Sequence, residues 1–382
     1  MGSTPSRRSF LLAGAAAPVL AQTKSGERGS PLPRYRLLGR TGLKATELGF
    51  GSEAVSDVTV FERALDAGIN FFDTARPYQG GNAEEVLGAA LKGKRDRVIL
   101  ATRSYANNAR QAALDLDTSL KMLGTDRVDI WYLGQKDKPG DVKDDMLEVQ
   151  AAALKAGKIR FRGISSHRPA IMADFVIGQK FDVIQIPYNF AIGTGRDPFN
   201  LDGTNLDSTL DRFQQAGIGV VAMKVMAGGY RGAVKIAEKN LDIHARAGSR
   251  VAAIRWALRN GRVQTTSVRM TDRDQLEENL HAMSGSYSES DGRLLAAYTD
   301  SVRPVLCRMC GACEGQCPKG VLAGDLVRAV MYAESYGSYG QGVQTFRRSG
   351  GAVCGDCRDC SVRCPHGVAI AGRVARARQL FC

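Results

Sequence analysis

Residues 67–75 read Ala67-Gly68-Ile69-Asn70-Phe71-Phe72-Asp73-Thr74-Ala75. Before them, Val58–Ala67 carries apolar residues at steps of three and four, which predicts a helix, and Gly68 is a residue type that commonly ends one. The short apolar run Asn70–Ala75 then predicts a buried strand. A second helical pattern, Ala83–Leu91, follows. This alternation of helix and strand is typical of a parallel sheet.

The alternation repeats from Arg34 to about Ser290. The predicted strands are Thr46–Gly51, Asn70–Ala75, Arg97–Arg103, Asp129–Gly134, Arg160–Ser165, Asp182–Pro187, Gly219–Val225 and Gln264–Arg269. The helices predicted after them are Val58–Ala67, Ala83–Leu91, Ala109–Leu123, Asp144–Ala156, Ala170–Gln179, Leu206–Gln215, Arg250–Arg259 and Arg273–Met283. Eight such units predict an α/β fold, a (β/α)₈ TIM barrel, with a hairpin at Tyr35–Thr46 closing its bottom. A doubly wound sheet is the alternative, but no G-x-G-x-x-G follows the first strand.

Eight cysteines near the end of the chain form two runs with one spacing, C-x₂-C-x₂-C-x₃-C-P. The first run is Cys307, Cys310, Cys313 and Cys317, and the second is Cys354, Cys357, Cys360 and Cys364. This is the ligand run of bacterial two-cluster ferredoxins, in which the fourth cysteine of each run binds the other cluster. The spacing therefore predicts two 4Fe–4S clusters, one on Cys307, Cys310, Cys313 and Cys364, the other on Cys354, Cys357, Cys360 and Cys317.

Structural zinc is the competing interpretation of paired C-x₂-C. Four ligands satisfy a zinc ion, which gives no reason for a third cysteine at the same step or for the C-P. The remaining Cys382 is interpreted as a free thiol at the end of the chain. Between the two runs, the helical pattern Asp325–Glu334 favours a small C-terminal α-helical ferredoxin-like 4Fe–4S domain at 301–382. Its clusters serve either electron transfer or the folding of a small domain.

The N-terminal segment 1–22 has the layout of a twin-arginine export signal. Arg7-Arg8 precedes Phe10-Leu11-Leu12 and a small-residue apolar run that ends at Ala21. That run is too short and too rich in alanine for a permanent membrane anchor. The alternative is a disordered tail that happens to contain two arginines. The sequence thus predicts a linker at 23–33 and a periplasmic or otherwise extracytoplasmic location, with the eight cysteines as metal ligands rather than disulfides.

Composition limits the partners. The chain has 382 residues, 44% of them hydrophobic, and a formal net charge of +13. This length allows one large domain and one small one. The positive charge is scattered and no basic helix with interleaved aromatic residues is present, so we predict no nucleic acid partner. The positive charge suits a redox partner protein that has an acidic surface, and it equally suits a phosphorylated cofactor.

Several motifs in the predicted barrel resemble the aldo/keto reductase family. They are Leu38-Gly39-Arg40-Thr41-Gly42-Leu43, Leu48-Gly49-Phe50-Gly51, residues 67–75, Tyr78-Gln79-Gly80-Gly81-Asn82-Ala83-Glu84, Gly163-Ile164-Ser165-Ser166, Gln185-Ile186-Pro187-Tyr188-Asn189 and Glu277-Glu278-Asn279. The resemblance covers the whole barrel, 34–300. The cysteine-rich extension is similar to that of a subgroup with a helical ferredoxin domain.

The resemblance implies a hydride-transfer site, for which the family uses an Asp, a Tyr, a Lys and a His. Asp73 and Tyr78 match the first two, with Tyr78 as proton donor, whereas Arg103 and Gly134 stand at the lysine and histidine positions. Arg103 supplies a charge that lowers the pKa of Tyr78 and pairs with Asp73, but it shares no proton. Gly134 leaves space, so we expect a wider pocket. A simple buried ion pair between Asp73 and Arg103 is the alternative.

The resemblance also implies a nicotinamide cofactor. By this resemblance, the carboxamide would be held by Ser165, Ser166 and Gln185, and the pyrophosphate by Gly228 and Gly229. The 2′-phosphate would be held by Arg269, and the adenine by Glu278 and Asn279. Backbone amides of small residues suit a pyrophosphate. The second basic position of the phosphate site holds Gln275, which leaves NADP and NAD both open.

The sequence thus predicts an exported oxidoreductase that acts on a small-molecule carbonyl or alcohol with NADP or NAD and carries two 4Fe–4S clusters. Because two of the four catalytic positions are substituted, the alternative is a catalytically degenerate barrel that serves as an iron–sulfur electron-relay or binding protein. A lyase or isomerase that uses Asp73, Tyr78 and Arg103 is the third possibility.

Overall fold

A computed structural model describes residues 32–192, 206–230, 235–236, 239–240, 242–349 and 359–382. The barrel and the helices after it belong to one compact unit, Pro31–Cys382. The predicted export signal, nearly all of the linker, Cys354 and Cys357 lie outside the described residues. The domain boundaries proposed from the sequence stay predictions.

Eight parallel strands close into a barrel, as predicted. Strands β1 (Tyr35–Leu37) and β2 (Lys44–Thr46) form the hairpin before it. The barrel strands are β3 Leu48–Gly51, β4 Phe71–Asp73, β5 Ile99–Ser104, β6 Val128–Leu133, β7 Ile159–Ser165, β8 Val183–Pro187, β9 Gly219–Met223 and β12 Thr265–Arg269. Their order is β12-β3-β4-β5-β6-β7-β8-β9. Between β9 and β12 lies a two-residue pair, β10 (Lys235–Ile236) with β11 (Lys239–Asn240).

Helices surround the barrel in the predicted order. They are α1 Val58–Asp66, α2 Asn82–Leu91, α3 Ala109–Leu123, α4 Asp144–Lys155, α5 Pro169–Gly178, α6 Leu206–Gln215, α7 Ser249–Leu258 and α8 Arg273–Leu280. Local sequence accounts for several ends: the Asn108 side chain accepts a hydrogen bond from Gln111 N at 2.8 Å and begins α3, and Gly124 at φ +62° ends it. No helix in the described ranges is long and apolar enough to cross a membrane.

The hairpin closes the N-terminal end of the barrel. Leu38 is fully buried and packs with the interior residues of the barrel. At Gly39, where φ is +52°, a Cβ atom would come within 2.3 Å of Gly219 N. Only glycine fits such an approach in this left-handed conformation. This end is therefore sealed, and the opposite end of the barrel is left for a site.

Alternation along the strands places polar residues inside the barrel above an apolar layer. Successive side chains of a strand point to opposite faces. In β4, Phe71 belongs to the interior cluster and Phe72 to the layer between strands and helices. The next residue, Asp73, therefore points inward again, as Arg103 does two positions after the interior Ala101. The polar positions are thus the last interior ones before the C-terminal ends of the strands.

In the described part of the chain after the barrel, residues 281–349 and 359–382, four more α-helices follow: α9 Glu289–Val302, α10 Ala323–Ser335, α11 Tyr339–Arg348 and α12 Ile370–Phe381. Only α10 had been predicted. Met331 and Tyr332 of α10 join the core between barrel and helices, whereas Leu326 and Val330 join a second apolar core. That second core also holds residues of α11 and α12. Helix α10 therefore carries two apolar faces and connects the barrel to the C-terminal segment.

Candidate functional site

Four interior side chains form a hydrogen-bonded group, here called the polar cluster: Asp73, Arg103, Gln185 and Ser267. Arg103 makes an ion pair with Asp73 and donates a hydrogen bond to Gln185 Oε1. The second carboxylate oxygen of Asp73 accepts hydrogen bonds from Gln185 Nε2 at 3.0 Å and from Ser267 Oγ at 2.7 Å. Four different strands, β4, β5, β8 and β12, contribute these side chains. The barrel closure therefore assembles the cluster.

Arg103 places a permanent positive charge deep in the barrel, where the Asp73 carboxylate balances it. Arg103 is 2% exposed and Asp73 3%. Burial alone lowers the pKa of the Arg103 guanidinium, but Asp73 together with the phenols of Tyr78, Tyr105 and Tyr132 outweighs it and the pKa is raised. Arg103 is therefore a fixed cation and not a proton donor. The predicted ion pair is present, and its catalytic role stays a prediction.

Tyr78 lies beside this cation. The Arg103 guanidinium carbon is 6.0 Å from the centre of the Tyr78 ring and 5.2 Å from that of Tyr132. Burial raises the pKa of Tyr78 well above its usual value, and neighbouring Tyr105 adds to this, while Arg103 opposes it. The expected lowering of the pKa by Arg103 is thus outweighed by burial. Tyr78 is a protonated phenol at neutral pH, a state suited to donating a proton.

The loop that carries Tyr78 is held by an anchored arginine. A Cβ atom at Gly81, where φ is +105°, would lie 2.0 Å from the Arg76 guanidinium. Arg76 makes an ion pair with the fully buried Glu84, which also accepts a hydrogen bond from Thr102 Oγ1 at 2.7 Å. Gly81 is therefore needed for the path of this arginine. Through Arg76 and Glu84, the loop is tied to α2 and to strand β5.

Tyr105 fills the space expected beside Gly134. A Cβ atom on Gly134 would lie 2.5 Å from Cδ1 of the Tyr105 ring and 2.9 Å from Ser104 O. The expectation of a wider pocket at Gly134 is therefore wrong. The Tyr105 hydroxyl instead donates toward the Tyr78 hydroxyl across 3.4 Å. A second phenol thus stands next to Tyr78, and a histidine at position 134 would collide with it.

The polar cluster and Tyr78 line a cavity of about 310 Å³ at the C-terminal end of the barrel. This volume is in the range of small-molecule sites. The cavity brings together most of the cofactor residues predicted from the sequence: Ser165, Gln185, Gly228, Gly229, Arg269 and Asn279. Ser166 and Glu278 do not line it. Ser166 Oγ accepts a hydrogen bond from Arg168 N at 3.0 Å, and Glu278 makes an ion pair with Arg250 at the cavity wall.

Among the described residues of the cavity, one has a free group that fits a nicotinamide dinucleotide, whereas two others already use theirs in hydrogen bonds within the protein. Asn279 Oδ1 is buried and has no hydrogen-bond partner among the described residues. Such an acceptor suits the amino group of an adenine. In contrast, Arg269 donates a hydrogen bond to Tyr336 O at 2.7 Å, and both ends of the Gln185 amide are occupied within the polar cluster.

Gly228 and Gly229, which follow β9 and are the predicted pyrophosphate residues, are also required to be small by helix packing. A Cβ atom on Gly229 would lie 2.1 Å from the Tyr298 hydroxyl of α9, and one on Gly228 would lie 3.0 Å from Ser335 Cβ of α10. Close packing of these helices therefore requires small residues here. The presence of glycine is consistent with a pyrophosphate loop but is explained without one.

Several cavity residues had not been assigned from the sequence. Tyr105 and Lys224 directly follow barrel strands β5 and β9, so their positions at strand ends were a usable signal. His167 also lines the cavity; its backbone NH donates to Asp137 Oδ1 at 2.7 Å. Burial lowers the pKa of His167 against the opposing effect of Asp137. Tyr336 and Gln341 reach the cavity from the C-terminal segment, and no sequence pattern indicated this.

The described cysteines of the first predicted cluster lie near one another. Cys310 and Cys364 are electrostatic neighbours, and Cys313 interacts with both of them. Cys307 interacts with Cys310 and Cys313, and its Sγ accepts a hydrogen bond from Met309 N at 3.4 Å. Within the described ranges, no three His, Cys, Asp or Glu side chains are arranged to hold a metal ion. For the second predicted cluster, two of the four cysteines, Cys354 and Cys357, lie outside these ranges.

Comparison with known proteins gives consistent matches to one family. The model of the aldo/keto reductase family matches residues 45–298. Aldo-keto reductase YhdN of Bacillus subtilis is 33% identical over 179 residues, which are 41% of this chain and 54% of that relative. The chain thus matches about half the length of that relative.

Two longer matches carry more specific names. L-glyceraldehyde 3-phosphate reductase of Escherichia coli K12 is 26% identical over 309 residues, and L-galactose dehydrogenase of Arabidopsis thaliana is 27% identical over 292 residues. Each match covers 65% of this chain and 87% of the relative. Among solved structures, an aldo-keto reductase of Bacillus halodurans in its holo form has a TM-score of 0.57 at 24% identity, over 69% of this chain and 96% of that one. This last likeness supports the fold.

Proposed function

The chain belongs to the aldo/keto reductase family, and we propose that it interconverts a carbonyl and an alcohol with NADP or NAD at the cavity of its barrel. The observation that carries this proposal is the convergence of Tyr78 with the Asp73–Arg103 pair at the C-terminal end of the strands. Active sites of TIM barrels are found at this end. Family members typically use NAD(P)H, and the unpartnered Asn279 oxygen suits the adenine of such a cofactor.

The chain's own residues supply the proton and the positioning. A bound nicotinamide supplies or accepts the hydride. Tyr78, whose pKa is raised, donates the phenolic proton to the oxygen of the carbonyl as charge develops there. Arg103 provides a fixed positive charge beside that phenol, and Asp73 holds the guanidinium in place. Tyr105 stands within reach of the Tyr78 hydroxyl and can replace its proton.

A sugar carbonyl is the substrate class we propose. The longer relatives are named for L-glyceraldehyde 3-phosphate and L-galactose. In this chain the cavity offers many groups that hydrogen-bond hydroxyls, among them Tyr78, Tyr105, Gln135 and Gln341. Aromatic rings at Tyr230 and Tyr336 add apolar surface. This mixture suits a polyhydroxylated ligand with one reactive carbonyl.

The test is reduction of sugar aldehydes and keto sugars by the full chain, purified without oxygen, with NADPH and NADH. We expect substrate-dependent oxidation of the nucleotide, which is measured as a loss of the absorbance of its reduced form. Because burial raises the pKa of Tyr78 well above its usual value, the phenol keeps its proton between about pH 6 and 9, and its ionisation should not limit reduction in that range. Absence of both nucleotide binding and nucleotide oxidation would refute the reductase proposal.

We further propose two 4Fe–4S clusters on the two cysteine runs. The mutual proximity of Cys307, Cys310, Cys313 and Cys364 supports the predicted pairing of the first. Each thiolate of a cubane binds a different iron, so its ligands stand farther apart than those of a single ion. The left-handed backbone of Met309 and Gly311 turns the chain between these cysteines. Cys317 and Cys360 pack against the second apolar core.

Iron and sulfide analysis of the protein purified without oxygen tests the clusters. We expect about eight iron and eight sulfide per chain. Cys307→Ser should lower both values toward half, while Cys382→Ser, which alters the cysteine outside the two runs, should leave them unchanged. Zinc in place of iron, or an unchanged iron content in Cys307→Ser, would contradict the proposal.

An electron-relay or binding protein with an inactive barrel is the second candidate. It is favoured because groups expected to bind the cofactor already make hydrogen bonds within the protein, namely both ends of the Gln185 amide and one nitrogen of Arg269. In that case the clusters are reduced by a partner protein and no nicotinamide is oxidised. Export by the twin-arginine route remains a proposal from segment 1–22, and cell fractionation of the full-length protein tests it.

A further inference from the structure

Lys224 occupies an unusual position at the cavity. It directly follows the last residue of β9 and has a backbone φ of +57°, a left-handed conformation that is uncommon for residues other than glycine. Its carbonyl oxygen accepts hydrogen bonds from Asn189 Nδ2 at 2.9 Å and from Ala227 N at 3.0 Å. These bonds hold the strained backbone in place, and strain of this kind concentrates at functional sites.

The side chain of Lys224 lines the cavity and lies against two aromatic rings of the C-terminal segment. Its Nζ is 4.5 Å from the centre of the Tyr336 ring and 4.7 Å from that of Tyr332. Both distances are within the range of cation–π contact. Among the described residues, Nζ makes neither a hydrogen bond nor an ion pair. The rings therefore position the ammonium but leave its hydrogen atoms unpaired.

The charged neighbours of Lys224 do not neutralise it. They are Glu53, Asp137, Arg103 and Arg328. Asp137 is already bonded to His167, and Glu53 forms no ion pair with Lys224 within the described structure. The two arginines add positive charge. Lys224 is half-buried, so its ammonium is only partly hydrated and, within the described structure, has no counter-ion, and a bound anion would offset the cost of that partial burial.

We propose that Lys224 binds an anionic group of the substrate, a carboxylate or a phosphate, while the carbonyl of the same molecule reaches Tyr78. Tyr78 and Lys224 both have Glu53 and Arg103 as electrostatic neighbours, so they face one shared space. The inference rests on the proposed function in that it names the substrate class, an acidic or phosphorylated sugar. Tyr332 and Tyr336 make the C-terminal segment part of this subsite.

The pyrophosphate of the cofactor is the other source of an anion near this loop. The shared neighbours with Tyr78 favour the substrate, because Tyr78 contacts the reacting carbonyl in the proposed reaction. Gly228 and Gly229, the predicted pyrophosphate residues, instead pack closely against Ser335 and Tyr298. Binding of nucleotide and of sugar to the same variants distinguishes the two sources.

Titration calorimetry on the full chain tests the subsite with three sugars and one nucleotide. The sugars are D-glucose, D-glucuronate and D-glucose 6-phosphate, and the nucleotide is NADP⁺. We expect at least one charged sugar to bind about tenfold or more tightly than glucose. Lys224→Met should abolish that preference and Lys224→Arg should keep most of it. Lys121→Met, which removes an exposed lysine of α3, should match the wild type.

Changing pH gives a second readout that does not depend on the folding of Lys224→Met. Burial lowers the pKa of Lys224 to about 8, so the ammonium loses its proton as the pH rises through that value. Affinity for the charged sugar should then fall above about pH 8 in the wild type and persist in Lys224→Arg. Besides Glu53, Asp137, Arg103 and Arg328, the His167 imidazole and the phenols of Tyr332 and Tyr336 face this amine. Burial lowers the pKa of His167 and raises the pKa of both phenols.

Three outcomes overturn the subsite: no preference for a charged sugar in the wild type, equal preference in Lys224→Met, or a defect in Lys224→Met that is confined to NADP⁺ binding. The last outcome would assign Lys224 to the cofactor. These results are independent of turnover. A charged sugar that binds through Lys224 but is never reduced would support the subsite and contradict the proposed reductase activity.

Discussion

Tyr78→Phe is expected to lower the rate of carbonyl reduction by about 100- to 10,000-fold, the usual contribution of a positioned general acid. The variant keeps the ring beside Arg103 and removes only the hydroxyl that donates the proton. Binding of NADPH should be unchanged, because Tyr78 is not among the predicted cofactor residues. Steady-state kcat at saturating substrate and the dissociation constant of the nucleotide measure the two effects separately.

Tyr105→Phe is the matched control for this prediction. It also removes a half-buried phenolic hydroxyl from the same cavity, 3.4 Å from that of Tyr78. We expect a smaller loss, because Tyr105 acts on the substrate only through Tyr78. Equal large losses in both variants would mean that proton donation needs both phenols, equal small losses that either phenol can donate, and a larger loss in Tyr105→Phe would assign the acid to Tyr105.

Arg103→Met is expected to destabilise the fold by about 3–5 kcal/mol, the usual cost of removing one partner of a buried ion pair. Asp73 is 3% exposed, and its charge would stay in the barrel with only Gln185 Nε2 and Ser267 Oγ as donors. Gln185 Oε1 would lose its donor as well. Urea unfolding of the variant and the wild type measures the difference in free energy of unfolding.

The double variant Asp73→Asn with Arg103→Met tests whether the cost comes from the unpaired charge. We expect it to be more stable than Arg103→Met alone, because the carboxylate that lost its partner is gone. Arg103→Lys keeps the charge but gives up the fork that reaches both Asp73 and Gln185, so its loss should be smaller than that of Arg103→Met. If the losses of stability measured for Arg103→Met and for Asp73→Asn alone simply add in the double variant, Asp73 and Arg103 are not coupled.

The C-terminal segment is part of the cavity. Tyr336 and Gln341 line it, Arg269 is bonded to the Tyr336 carbonyl, and Lys224 lies against the Tyr336 ring. Cys307 packs against the barrel core and is an electrostatic neighbour of Tyr332 and Tyr336. The proposed first cluster would thus lie beside the residues that bound the reductase site.

The barrel could be predicted from local patterns. All eight predicted barrel strands are present, with ends within two residues of those observed, and the hairpin pairs Tyr35 with Thr46 as expected. Period-two alternation in short apolar runs also places Asp73 and Arg103 inside the barrel. Helices α9, α11 and α12 were missed because each buries only a few apolar side chains: Leu295, Tyr298 and Val302 in α9, Phe346 in α11, and Ile370, Val374 and Ala377 in α12.

The local order of residues determined the strands, the helices, the cysteine spacing and the residue types available at the strand ends. Tertiary structure alone showed that Tyr105 fills the space beside Gly134, that Gly229 is required by Tyr298, and that Lys224 lies on rings more than a hundred residues away. The physical reason is the separation along the chain over which each interaction acts. Hydrogen bonds of helices and the alternation of strands act between near neighbours, whereas steric fit and unpaired charge depend on which distant side chains the closed barrel brings into contact.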